Sequence, residues 1–284
     1  MTPEEYCQDK TEKSGSSFYY SFFFLNKQQR KAITALYAFC REVDDIVDSD
    51  MDENVARVKL QWWRNEISNL FNEEAHHPVT KALLPHIQHY NLAEEYFQEI
   101  IDGMQMDLEK HHYASFEELS LYCYRVASVV GLLSAEIFGY QDRQTLKYAH
   151  NLGMAFQLTN IIRDVHEDAT RQRVYLPDED IQRFGLTRED ILNLKDSEQF
   201  RQLLAFETQR AQEYYQKAFD LLPETDRYAQ RCGIIMAAIY RSTLDEVQAD
   251  GFAVLKHRIV LTPLRKIWLA FSCTFKEFWR KLFN

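Results

Sequence analysis

Apolar residues recur at intervals of three and four along nearly the whole chain, and nowhere do they gather into alternating runs bounded by turn signals. Spacing of this kind keeps one face of a helix apolar, whereas a half-buried strand needs a period of two. Pro78, Pro85, Pro177, Pro223 and Pro263 fall between these stretches as helix punctuation. The pattern predicts helices at 27–48, 53–74, 79–90, 93–110, 116–138, 142–168, 187–193, 197–222, 225–250 and 264–282, with the least helical stretch at about 169–186. Val, Ile and Thr are scattered through these runs rather than clustered, so the expected fold is all-α. No Ser/Gly/Pro-rich linker and no repeat with a period of roughly 20 to 50 residues interrupts the pattern, and residues 1–284 read as one domain.

Composition narrows the function classes. With 46% hydrophobic residues the chain is too apolar for a disordered one. Its eight glycines are less than half of the roughly 7% usual share, and no G-x-G-x-x-G or G-x-x-x-x-G-K-[ST] string occurs, which excludes a Rossmann or P-loop site. Cys7, Cys40, Cys123, Cys232 and Cys273 are odd in number and widely spaced, as suits reduced thiols used as small hydrophobes in a cytosolic protein. Met1-Thr2-Pro3-Glu4-Glu5 lacks a basic region followed by an apolar one, and no run of about 18 apolar residues exists, so neither a signal peptide nor a transmembrane helix is expected. A net charge of −10 argues against nucleic-acid binding. The charge is uneven: residues 256–284 carry +6 and the remainder −16.

Two acidic clusters carry the chemistry. In Tyr37–Asp48 the apolar stripe Ile33, Tyr37, Cys40 and Val47 runs through Asp44 at helical spacing, turning Asp44 inward, with Asp48 one turn further on the same side. Carboxylates four apart and facing a core repel each other and lose hydration unless a cation sits between them. In the second cluster Asn160, Asp164 and Asp168 are spaced by four, with Gly153 and Gln157 on the same face. An oxygen-only donor set suits Mg²⁺, with Mn²⁺ as a substitute, and no His or Cys stands at zinc-ligand spacing. Either cluster alone also fits a solvated helix face. Two inward-facing clusters, each with an arginine within one turn (Arg41, Arg163), point instead to a metal and a polyanion. Asp107 fits either a contact with this metal site or a local cap, and His111-His112 read as surface residues.

At these residues the sequence resembles the squalene and phytoene synthase family of trans-isoprenyl diphosphate synthases. Asp44-Asp45-Ile46-Val47-Asp48 is similar to the family's first aspartate-rich motif, and Asn160 through Asp168 to the second. Arg173-Val174-Tyr175-Leu176-Pro177 and Tyr122-Cys123-Tyr124-Arg125-Val126-Ala127 resemble two further family segments. Ser14–Phe22, Val55–Arg64 and Asp250–Leu255 with Leu264–Leu269 look most like bacterial presqualene diphosphate synthases of hopanoid pathways.

The resemblance implies an isoprenoid synthase helical bundle around a central cavity. It also implies head-to-head condensation of two farnesyl diphosphates to presqualene diphosphate. Asp44, Asp48, Asn160, Asp164 and Asp168 would hold Mg²⁺, while Arg41, Arg163, Arg173 and Tyr175 would contact phosphate oxygens. Ser17 and Phe18 would border one diphosphate site, Tyr122 would steer proton loss, and Tyr37, Gln157 and Tyr240 would line the pocket. Phe22, Phe138, Leu133 and Phe156 are expected as further lining of a dry, aromatic hollow that protects a carbocation. NADPH is not expected for the first step. The alternatives are a phytoene or dehydrosqualene synthase, an NADPH-dependent squalene synthase, and a non-catalytic scaffold that kept the fold. In residues 264–284 an apolar stripe opposes basic residues, matching an interfacial anchor on an anionic membrane or, equally, a terminal helix packed on the domain. The expected partners are farnesyl diphosphate, that membrane surface (the cytoplasmic face of an inner membrane) and downstream hopanoid-pathway enzymes.

Overall fold

The structure, a computed structural model, describes residues 1–14, 21–49 and 51–283. Ser17 and Phe18 lie outside the described residues. The protein is all-α: no strand occurs among the described residues, and one isolated bridge joins His112 to Val174. The helices are α1 (Pro3–Lys13), α2 (Lys27–Asp48), α3 (Glu53–Phe71), α4 (Pro78–Ile87), α5 (Glu94–Glu109), α6 (Phe116–Cys123) and α7 (Val129–Phe138). They continue as α8 (Gln144–Arg163), α9 (Val165–Thr170), α10 (Asp178–Arg183), α11 (Arg188–Leu192), α12 (Glu198–Leu221), α13 (Arg231–Ala249) and α14 (Pro263–Phe283). Two apolar cores hold them. One gathers α2 to α5 around Phe39, Trp63 and Phe97; the other packs α8 against α12 and α13 around Leu203, Tyr215 and Ile235.

Several boundaries differ from the periodicity. Pro85 lies inside α4 rather than between helices, in the last turn, where its missing N–H costs the one bond it would have made to the Lys81 carbonyl. The stretch expected at 142–168 breaks at Asp164, which leaves helical geometry (φ −101°, ψ 14°) and separates α8 from α9. The 225–250 stretch begins as a 3₁₀ turn at Glu224–Asp226, whose buried Asp226 carboxylate accepts from the Gln141 and Asp142 amides and the Thr145 hydroxyl, anchoring the start of α8. Residues 178–183 are helical within the stretch read as least helical. Helix α1 was not expected, although Thr2 and Glu5 form a full capping box with Pro3 at the first helical position.

Residues 116–138 are helical throughout, but Tyr124–Ser128 form a π turn between α6 and α7. This stretch is long and apolar enough to cross a membrane by length and composition, yet it is packed into the bundle, with Leu119, Tyr122, Cys123 and Leu133 buried. The π turn needs close neighbours. A Cβ on Gly153 would stand 2.5 Å from Ser128 Cα, so α8 and the π turn touch backbone to backbone only because residue 153 has no side chain.

Candidate functional site

Helices α2 and α8 both carry their acidic residues at the C-terminal end. There the backbone carbonyls already concentrate partial negative charge, and α2 has no basic residue in its last turn. Helix formation alone disfavours that placement, so compensating cations are needed, and the structure supplies them from the preceding turn of α2 and from elsewhere in the chain. Arg41 contacts both Asp44 (2.6 Å) and Asp45. Arg171 reaches across from the loop after α9 to Asp48 (2.7 Å), and Arg173 contacts the same carboxylate at 3.5 Å while donating to the Val47 carbonyl at 3.0 Å. Gln172 between them adopts a left-handed conformation (φ 59°), a turn in the chain between these two arginines. The loop following the second cluster is thereby fastened to the end of the first.

Asp107, on α5, sits between the clusters, buried in the protein. Its carboxylate accepts from the Tyr122 hydroxyl (2.9 Å) and the Tyr175 hydroxyl (2.8 Å), whose rings stack with centroids 5.2 Å apart. Burial raises its pKa to about 6, against the pull of Arg173 and the two hydroxyls. Asp107 raises the pKa of both Asp44 and Asp168, which shows that the three acids share one electrostatic neighbourhood. The site is thus centred on a residue whose role the spacing left open; a lone Asp in an apolar helix face was its one sequence signal. Tyr175, expected on phosphate oxygens, donates its hydroxyl hydrogen bond to Asp107.

The two clusters differ in charge balance. Burial and the neighbouring Asp48 push Asp44 up to about 7, only partly offset by Arg41. Burial and Asp164 push Asp168 to about 8. Asp164 moves the other way, held below its ordinary value by Arg163 and Arg258 despite burial. Arg258, not found from the sequence, donates to Asp164 from Nε at 2.8 Å. Asp48 is exposed at the helix end, less inward than its spacing suggested.

A cavity of about 490 Å³ opens beside these groups. Arg41, Asp44, Asn160, Arg163 and Arg258 line one part of it. Phe22, Ile33, Leu36, Phe138, Leu152 and Met236 line the rest, with Tyr37, Tyr122, Phe156, Gln157 and Tyr240 also facing it. Ile33 and Asp44 are eleven residues apart on α2, so at about 1.5 Å of rise per residue the hollow runs roughly 16 Å from greasy to charged. Leu133 is not part of the lining; it is fully buried in the α2–α5 core. Asp48, Asp164, Asp168, Arg173 and Tyr175 stand next to the charged end rather than in the wall.

Among the described residues no three His, Cys, Asp or Glu side chains are grouped closely enough to hold a metal ion by themselves. The donors nevertheless suit a hard cation that takes the rest of its shell from water or phosphate. All are oxygens, and Asn160 Oδ1 is buried without a hydrogen-bond partner among the described residues.

Residues 11–265 match the squalene/phytoene synthase family profile. The chain is 36% identical over 253 residues to a presqualene diphosphate synthase of Sinorhizobium fredii, covering 89% of this chain and 90% of that one. It is 33% identical over 276 residues to a phytoene synthase of Arthrospira platensis, covering 93% and 89%. Its structure resembles the crystal structure of squalene synthase HpnC from Alicyclobacillus acidocaldarius, with a TM-score of 0.80 and 28% identity over 88% of this chain and 94% of the other. A helical bundle with two aspartate-bearing helix ends closing over one cavity, matched along nearly its full length, belongs to the squalene/phytoene synthase family of enzymes.

Proposed function

We propose that this protein is a Mg²⁺-dependent prenyltransferase that joins two farnesyl diphosphates head to head to give presqualene diphosphate. The observation that carries the reading is the make-up of the cavity: the Asp44 carboxylate, three arginines and an amide oxygen without a partner among the described residues, with further carboxylates beside them, and a wall otherwise mostly aromatic and aliphatic. Such a hollow fits a molecule with a diphosphate head and a long apolar tail.

Asp44, Asp48, Asn160, Asp164 and Asp168 would hold the metal, which supplies positive charge to the diphosphate as the allylic C–O bond breaks. Arg41 and Arg163, both lining the cavity, give charge-assisted hydrogen bonds to the phosphate oxygens. Departure of diphosphate leaves an allylic cation, which the C2–C3 double bond of the second farnesyl chain attacks. Loss of a proton to an oxygen of the released diphosphate closes the cyclopropane. Phe22, Phe138, Phe156 and Tyr240 exclude water from the cation and present ring faces to it. Burial beside Asp107 keeps the Tyr122 phenol protonated, so Tyr122 acts as a neutral donor fixed by Asp107 and orients the charge where the proton departs.

The phytoene synthase relative, at nearly equal identity, favours a second reading in which two longer geranylgeranyl chains are joined. One assay separates these: purified protein with Mg²⁺ and either farnesyl or geranylgeranyl diphosphate, with and without NADPH, and extracted products identified by mass. Presqualene diphosphate from farnesyl diphosphate, unchanged by NADPH, is expected. Squalene formed only with NADPH, or turnover of the longer substrate alone, would replace the proposal, and no turnover of either would return a scaffold role.

A further inference from the structure

Helix α14 is mounted with its aromatic face outward. Ala270 and the Glu277 carboxylate are buried against the domain, and Arg227 grips Glu277 with two hydrogen bonds at 2.9 and 3.0 Å. This buried clamp fixes the rotation of the helix about its axis. On the far side Leu264, Trp268, Phe271, Phe275, Phe278 and Trp279 form a stripe, with Trp268 67% exposed and Phe275 64%. A terminal helix held by ordinary packing would bury those rings; here small and acidic residues face inward while the costly apolar surface meets solvent. Phe24 meets Phe271 edge-on, so the stripe borders the loop at 21–26, where Phe23 is exposed.

Charge selects the occupant. Lys276 stands exposed on one flank of the stripe, with Arg265, paired with Glu246, on the same side; Lys281 is exposed near the helix end with its ammonium over the Tyr228 ring at 4.4 Å, and residues 256–284 total +6 on a chain whose remainder is −16. A second copy docking through the same stripe would bring together two helices of net charge +4. A bilayer with anionic headgroups offers acyl chains for the rings and counter-charge for the lysines at once. Six charged side chains between Arg265 and Lys281 exclude a spanning helix.

We propose that α14 lies in the interface of an anionic bilayer with this stripe among the acyl chains, and that docking sets the cavity against the membrane. The second part follows from continuity: Arg258, Ile259, Val260 and Leu261 line the cavity and lead directly into α14, whose Lys266 lines it too. A greasy ligand thereby enters or leaves beside lipid.

The test is flotation of the full-length protein with vesicles of phosphatidylcholine alone or mixed with phosphatidylglycerol, with sedimentation velocity run in parallel without lipid. Wild type should float with the mixed vesicles and far less with the neutral ones. Trp268→Glu with Phe275→Glu should lower partitioning roughly tenfold or more with an unchanged melting curve, and Lys276→Glu with Lys281→Glu should erase the preference for phosphatidylglycerol. Because the exposed rings support no core, a variant that fails to fold also contradicts the assignment. So does wild-type partitioning in the aromatic variant, or a lipid-free dimer that those substitutions split while vesicle binding stays unchanged.

Discussion

The two acidic helix ends perform one task with opposite electrostatics. At the end of α2, Asp44 and Asp48 are crowded carboxylates, one half-buried and one exposed, and Asp44 is driven up to about 7. At the break after α8, Asp164 is clasped by Arg163 and Arg258 and driven down, while Asp168, lacking such a clasp, rises to about 8. A continuous helix can project acids along one face, but it brings no cation to them beyond its own Arg41. The broken helix turns the chain, so its loop sends Arg171 and Arg173 back to the first cluster. Each end therefore depends on the other: the first lends carboxylate charge, the second lends arginines.

The sharpest way to break this symmetry is to delete one acid at a time. Asp44→Ala and Asp164→Ala should each lower turnover of farnesyl diphosphate by about 10³-fold or more, since each removes charge stabilisation at the leaving group. They should differ in metal-free binding of inorganic diphosphate. Asp164→Ala frees Arg163 and Arg258 and strengthens it, whereas Asp44→Ala frees only Arg41, which retains Asp45. Equal behaviour in calorimetry would remove the distinction. Next in size, Tyr122→Phe keeps the ring stack but takes a hydroxyl from Asp107; kcat should fall about 10²-fold with KM little changed, and full activity would confine Tyr122 to packing. Arg173→Ala, which strips Asp48 of a half-buried partner, should cost roughly tenfold in kcat/KM, and Arg171→Ala, half exposed, less than about threefold.

The pH response should separate the ends without chemistry. Asp44 and Asp168 have raised folded pKa values, so the folded protein holds protons more tightly than the unfolded chain there. That stability is full below about pH 4 and is lost as pH rises through 7 to 8. Asp164 is lowered, so its contribution is present at neutral pH and lost as the solution is acidified below the ordinary carboxylate range. In metal-free protein Asp44→Asn should raise Tm at pH 8 and leave it unchanged at pH 4, while Asp164→Asn should lower it at pH 7. Shifts of the same sign at pH 7 to 8 would contradict the assigned charge balance. Away from both clusters, Gly153→Ala should destabilise the fold by about 1–3 kcal/mol by pressing a methyl into the π turn, read as a lower Tm.

Much of this arrangement was legible in the sequence because it is periodic. Of the stripe Ile33, Tyr37, Cys40 and Val47 running through Asp44, all but Val47, which is buried in the core, face the cavity, and the all-α bundle follows from spacing alone. What depended on tertiary contact was not legible. Asp107 is one acid in an apolar helix face and becomes central only when Tyr122 and Tyr175 close on it from two other segments. Arg258 lies 94 residues beyond the carboxylate it clasps. The break at Asp164 and the π turn at Tyr124–Ser128 contain no Gly or Pro to mark them in the sequence. The capping box at Thr2 with Pro3 after it was readable, but the helix it starts is short and strongly polar, with little apolar periodicity to mark it.

The central claim is that both helix ends grip one ligand. Mg²⁺ titrated calorimetrically into the protein with inorganic diphosphate present, for wild type, Asp44→Ala, Asp164→Ala and the double variant, tests it directly. A shared site predicts that either single substitution loses nearly as much binding free energy as the double. Losses that simply add, or undiminished Mg²⁺ binding in either single variant, would mean that the two ends act apart.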